Sequence, residues 1–173
     1  MDFNREENFA AFVTKKVDYY LGKWELFENS SEKISWNWSA FLFSTYWMIY
    51  RRMYIPAIAV FAASRIVKYV IALSGGRAYR LTTILFSVAI GMLGNYIYYA
   101  YTSSKIADVA DTASTDDPAI IGRTLREIGG TSWLWVFLLA FVGGAIDTLL
   151  KKALFNRAVS LENFDADTIW DVL

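Results

Sequence analysis

The run SWNWSAFLFSTYWMIYRRMY, Ser35 to Tyr54, decides how the chain is built. Eight of its twenty residues are aromatic, none is acidic, and it closes on the pair Arg51 and Arg52. Its core, Ile34 to Tyr50, offers 17 uncharged residues. As a helix that is about 25 Å, slightly short of a hydrocarbon core of about 30 Å. The segment therefore crosses a thinned bilayer, re-enters on the side it came from, or lies in the interface. Pro56 soon after the arginines sets a new helix start near Met53, because a first-turn proline costs no intrahelical hydrogen bond.

Three further apolar segments follow. Leu81 to Ser104 carries no charge over 24 residues, about 36 Å of helix and the clearest span. Ile128 to Ile146 is uncharged over 19 residues, begins with Trp133 and Trp135, and ends before Lys151 and Lys152. Those are the aromatic and basic anchors expected at two membrane faces. Met53 to Leu73 is long enough but carries Arg65 and Lys68. These bases stand three apart on one helical face, so they must snorkel or meet a polar interior.

The charges are sorted. From Lys33 to Lys105 there are eight bases and no acid, while the first 32 residues hold seven acids against four bases. From Asp108 onward there are ten acids and five bases. A soluble surface mixes the signs, whereas a chain crossing anionic lipid keeps bases at its edges. With four spans and an internal N-terminus, twelve bases fall inside and five outside: Arg51, Arg52, Lys105, Arg123 and Arg126. If the first segment only re-enters, the split is ten to seven. Both counts favour a cytoplasmic N-terminus, and four crossings put both termini there.

The flanks read as helices of another kind. Phe9, Val13, Val17, Tyr20, Leu21, Trp24 and Phe27 recur near every 3.6 residues with charges between them, the pattern of an amphipathic helix in a cytoplasmic N-terminal region, 1–33. Its apolar face suits a bilayer surface, a partner, or this protein itself. Within the membrane region, 34–155, Asp116, Asp117, Pro118 and then Gly129 and Gly130 bound a short interfacial helix near 117–129. Residues 156–173 form an acidic tail. The fold class is all-α: a polytopic helical membrane protein of about four segments.

Several stretches resemble a bacterial membrane-protein family known as domain of unknown function 2628. They are YYLGKWELF at Tyr19–Phe27, the Ser35–Tyr54 run itself, and GNYIYYAYTSSKI at Gly94–Ile106. The family is similar in a Tyr-Leu-x-x-Trp helix, a Phe-Asn-Trp-x-Ala-Phe box ending in Tyr-Arg-Lys-Met-Tyr, and a Gly-Asn followed by aromatics and bases. Arg52 stands where the family has lysine, and the bases after Tyr98 and Tyr99 thin to Lys105. The resemblance implies an architecture and no reaction.

The chain contains neither cysteine nor histidine, which removes thiolate chemistry, histidine triads and most zinc or copper sites. No phosphate loop or nucleophile elbow is present, so neither an enzyme nor a cofactor is expected. Nucleic acid is not an expected partner, since the bases flank apolar segments. Trp36, Trp38, Trp47, Tyr50, Arg51, Arg52 and Tyr54 have the composition of a lipid-interface anchor for anionic headgroups. Asp147 is the only acid inside an apolar segment. A lone carboxylate there needs a partner, and Arg65 and Lys68 are nearest in expected depth. Ser87, Gly91 and Asn95, four apart, form a small-residue face for helix packing. These features suit a scaffold or accessory subunit with a protein partner or a second copy. The alternative is an oligomeric transporter or channel using Asp147 with Arg65 and Lys68.

Overall fold

The computed structural model describes residues 3–73, 79–113 and 117–170. The described residues form eight helices: α1 (Phe3–Val13), α2 (Val17–Asn29), α3 (Trp38–Phe43), α4 (Thr45–Tyr50), α5 (Tyr54–Leu73), α6 (Tyr79–Thr112), α7 (Pro118–Ile128) and α8 (Leu134–Trp170). Two compact units divide the chain, Met1–Trp133 and Leu134–Leu173. The second contains α8 alone among the described elements.

The N-terminal periodicity belongs to two helices instead of one. Thr14 and Lys16 take positive φ angles of 57° and 59°, which ends α1 and restarts the chain as α2. The apolar stripe survives the break: Phe9, Phe12, Val13, Tyr20, Trp24 and Phe27 are all buried. Their cover is α6, since Trp24 packs edge-on against Tyr98 at 5.4 Å and Phe9 lies 5.9 Å from Tyr99. The apolar face is thus filled from within the chain. Arg5 and Tyr99 both bind the carboxylate of Glu28, at 3.0 and 2.9 Å, joining α1, α2 and α6 at their outer edge.

The Ser35–Tyr54 run is not one helix. It breaks at Ser44, whose backbone sits at φ 40°, ψ −113°, leaving two six-residue helices of about 9 Å each. Contacts along α6 trace its course. The Ser35 and Asn37 amides donate to the carbonyls of Met92 and Gly91, Ser44 reaches Ser87, and Tyr101 donates to the Arg52 carbonyl. The chain therefore runs along α6 toward its N-terminus and turns at Ser44. It then comes back past its starting level as a helical hairpin. Arg52, at φ 57°, makes the turn into α5.

Among the described residues, three helices are long and apolar enough to cross a membrane; their candidate spans are Tyr54–Ile71, Leu81–Thr112 and Leu134–Ala153. Only Ala57 of the first stretch is buried, and its Ile55, Ile58, Ile66 and Val70 are exposed, the outward apolar pattern of a helix solvated by lipid. At 34 residues, α6 measures about 51 Å, well over one hydrocarbon core. Its first half exposes Leu81, Ile84 and Leu85, whereas Asn95, Tyr98 and Thr102 of its second half are buried under α1 to α4. One helix thus serves two surroundings.

The short helix near 117–129 is α7. Asp117 caps it through the Ala119 amide, Pro118 occupies its first turn, and Gly130 at φ 78° donates to the Phe12 carbonyl at 2.7 Å. Asp116, its other expected cap, lies outside the described residues. The acidic tail is no separate element: α8 continues through residue 156 to Trp170, with no glycine or proline after Gly144 to stop it.

Glycine positions should separate by packing. A Cβ on Gly91 would lie 2.8 Å from Phe41 Cβ and 3.3 Å from its Cα, whereas one on Gly22 would meet nothing within 4 Å. Gly91→Val should lose about 1–3 kcal/mol or more by overpacking, and Gly22→Ala should gain about 0.5–1 kcal/mol through helix propensity. Unfolding midpoints in detergent micelles check the opposite signs.

Candidate functional site

The most densely bonded point of the first unit is Asn95, which is fully buried. Its Oδ1 accepts from Asn37 Nδ2 at 2.7 Å, and its Nδ2 donates to Ser35 Oγ at 2.8 Å and to Tyr19 OH at 3.2 Å. Its backbone carbonyl accepts from Trp24 Nε1 at 3.2 Å. Asn37 in turn caps α3, its Oδ1 accepting from the Ala40 amide at 3.0 Å. One amide on α6 thereby fixes α2, the segment after it and the start of the hairpin. Such a network is stable because every buried polar group in it finds a partner.

A second centre is Arg51, 3% exposed. Its Nη1 donates to the carbonyls of Val13 and Lys15 at 3.3 and 3.1 Å. Its guanidinium carbon lies 4.5 Å from the Tyr20 ring centre, 5.4 Å from Tyr98 and 5.9 Å from Tyr50. The carbonyls are those freed where α1 stops, so the charge satisfies a helix end while the rings cover its face. Arg52 Nη1 donates to the Glu127 carbonyl at 2.6 Å, tying the hairpin's exit to the end of α7.

The seven residues grouped as an interface anchor thus divide. Trp36 and Trp38, edge to face at 5.3 Å, stand at the surface, and Trp38 is 66% exposed. Trp47 is buried against Gly94 and Tyr98. Tyr50, half-buried, meets Trp133 in a tilted ring contact at 4.9 Å, and Tyr54 is half-buried at the start of α5. Arg51 points inward and does not offer its guanidinium to a headgroup. Gly91 lets Phe41 of the hairpin approach α6 closely, while Ser87 meets the Ser44 hydroxyl at 3.5 Å.

Arg65 and Lys68 line a cleft of about 210 Å³ between the hairpin, α5 and α6, with Ser44, Ser64, Thr82 and Ser87 among its walls. The Arg65 guanidinium lies 4.8 Å from the Phe61 ring centre. Asp147 stands on α8 in the second unit, so the structure describes the two sides of the expected ion pair separately.

A family model described as protein of unknown function (DUF2628) matches residues 7–103, more than half of the chain. The chain belongs to the DUF2628 family. No curated protein and no solved structure matches it. In this DUF2628 protein the matched stretch begins inside α1 and ends within α6. It covers the hairpin and both polar centres. Sequence reasoning missed Tyr98, Tyr19 and Ser35 as members of these centres, because their partners are remote in the chain. Ser44 had a signal of its own, a Ser-Thr pair in the middle of an uncharged run.

Asn95→Leu should strand the buried Asn37 amide and take a partner from the half-buried Ser35 hydroxyl, costing about 1–3 kcal/mol. Arg51→Lys should cost about 2–3 kcal/mol, because an ammonium cannot both fork onto two carbonyls and stack on rings. Detergent denaturation followed by tryptophan fluorescence measures both.

Proposed function

We propose that this DUF2628 protein is a non-enzymatic multi-pass protein of a bacterial inner membrane, a scaffold or accessory subunit in a membrane complex. What carries the reading is where the family's signature residues go. Asn37 of the Trp-Asn-Trp box, the Gly-Asn pair and the aromatics after it join α1 to α4 onto α6, while Trp38 of the box stays exposed. The product is a helical head on one end of two apolar helices. The head's outer side presents Glu6, Glu7, Asp18 and Glu25 to solvent, an acidic face suited to a basic protein surface. Its lipid neighbours are anionic headgroups and its protein partner is a subunit or a second copy; nucleic acid is not one.

The topology that goes with this head has three crossings, α5, α6 and α8, with the hairpin entering and leaving from the head side. Arg51 and Arg52 then share a face with α1 and α7. Ten bases lie on that face against seven opposite, which keeps it cytoplasmic by the positive-inside rule. A fourth crossing, by the Ile34–Tyr50 segment, would instead keep both termini cytoplasmic. A second reading, a small oligomeric transporter or channel using Asp147 with Arg65 and Lys68, draws on the cleft that holds the two bases.

Single cysteines at Glu25, Glu127 and Arg157 check the topology against a cysteine-free background. The first two should label only from the cytoplasm and the third only from outside; cytoplasmic labelling at Arg157 removes the third crossing. Crosslinked membranes should yield a stoichiometric partner that is lost when Glu6, Glu7, Asp18 and Glu25 become glutamine. Repeated recovery of the chain alone counts against the scaffold reading. Asp147→Asn should leave ion flux in liposomes unchanged if the scaffold reading holds, and abolish it if the channel reading does.

A further inference from the structure

The cleft at the turn of the hairpin has a chemistry that the scaffold reading does not use. Its walls bring two bases, Arg65 and Lys68, to the same space as the hydroxyls of Ser44, Ser64, Thr82 and Ser87. These groups come from α5, α6 and the break between α3 and α4, so three elements converge on it. Phe61 and Phe86 line the same space, and the Phe61 ring supports the Arg65 guanidinium at 4.8 Å. Ser64 Oγ donates to the Phe61 carbonyl at 2.7 Å and Ser44 Oγ to Ser87 Oγ at 3.5 Å, while the guanidinium and ammonium groups suit a tetrahedral oxyanion: arginine forks across two oxygens and lysine supplies a point charge.

Position defines the class of ligand further. α5 leaves the head at Tyr54 and ends at Leu73, which places Lys68 about 7 Å and Arg65 about 12 Å short of its far end. Both bases therefore lie in the leaflet away from the head, within snorkelling reach of its phosphates. A volume of about 210 Å³ is too small for a whole lipid and ample for one phosphate group with its ester oxygens. We infer that this cleft binds the phosphodiester of an anionic phospholipid from the leaflet opposite the head, held by Arg65 and Lys68. A free inorganic phosphate would offer the same oxygens. The inference rests on α5 and α6 crossing the membrane, which cysteine labelling tests independently of lipid binding.

The full-length protein, purified in a mild neutral detergent, is incubated with phosphatidylglycerol, phosphatidylcholine or inorganic phosphate. Native mass spectrometry then counts retained ligand, and thermal unfolding is followed in parallel. Wild type should keep one phosphatidylglycerol through washing in preference to phosphatidylcholine. Arg65→Gln with Lys68→Gln should lower that retention about tenfold or more, as two charge-assisted contacts are lost. Lys151→Gln with Lys152→Gln should retain it, separating a built cleft from general attraction. A thermal shift with inorganic phosphate alone that disappears in the Arg65/Lys68 variant assigns the same cleft to a free anion. Lys68→Gln alone, which keeps the stacked arginine, serves if the double variant does not fold and should lose part of the retention. Equal retention of the two lipids by wild type overturns the inference, as does retention unchanged in the folded variants.

Discussion

The structure depends on one amide. Asn95 sits where α6 passes from apolar surroundings to a packed interior, and its side chain and carbonyl together engage Asn37, Ser35, Tyr19 and Trp24. A helix in lipid has no water to relieve an unsatisfied polar group. The amide therefore acts as a register mark: only one alignment of α2 and the hairpin on α6 satisfies all of these bonds. The glycines beside it supply the complement. At Gly91 and Gly94 even a methyl group would fall 2.8 Å from a carbon of the hairpin, so the backbones come close enough for the Asn37 and Ser35 amides to reach α6 carbonyls.

Arg51 makes a parallel arrangement out of charge. A cation 3% exposed would be costly by itself. Here it donates to the Val13 and Lys15 carbonyls where α1 ends, the first of which also accepts from the Lys15 amide, and three tyrosines cover it. The two centres lie about one turn apart along α6, at Asn95 and Tyr98, and between them they touch every helix of the head except α7. Arg52 adds α7 through the Glu127 carbonyl. Hydrogen bonds set the register, and aromatic burial supplies the bulk of the stabilisation.

Much of this was legible in the residues. Apolar runs located α5, α6 and the start of α8; Asp117, Pro118 and Gly129 bounded α7; and a length short of a full crossing marked Ile34–Tyr50 as unusual. The family box was legible as a resemblance, and its match to residues 7–103 covers the hairpin. Composition could not reveal the fate of the aromatics. Tryptophan, tyrosine and arginine near an apolar segment have one signature, whether they face headgroups or one another, so Arg51 and Trp47 read as anchors while being interior. Periodicity likewise ran straight through Thr14 to Lys16, because a break that preserves the facing of its apolar stripe leaves the spacing intact. The Arg65 and Lys68 spacing was visible, but the hydroxyls opposite them come from segments about twenty residues away on either side.

The hairpin has a consequence for biosynthesis. Its partners on α6, Ser87 to Tyr101, are translated some forty to sixty residues after it, and loop closure must precede any reward from such contacts. While α5 is being made, α1 to α4 therefore wait with the tryptophans and tyrosines that α6 will cover still uncovered. The order of synthesis thus makes the head the last part of the matched region to mature, although it is the first to leave the ribosome.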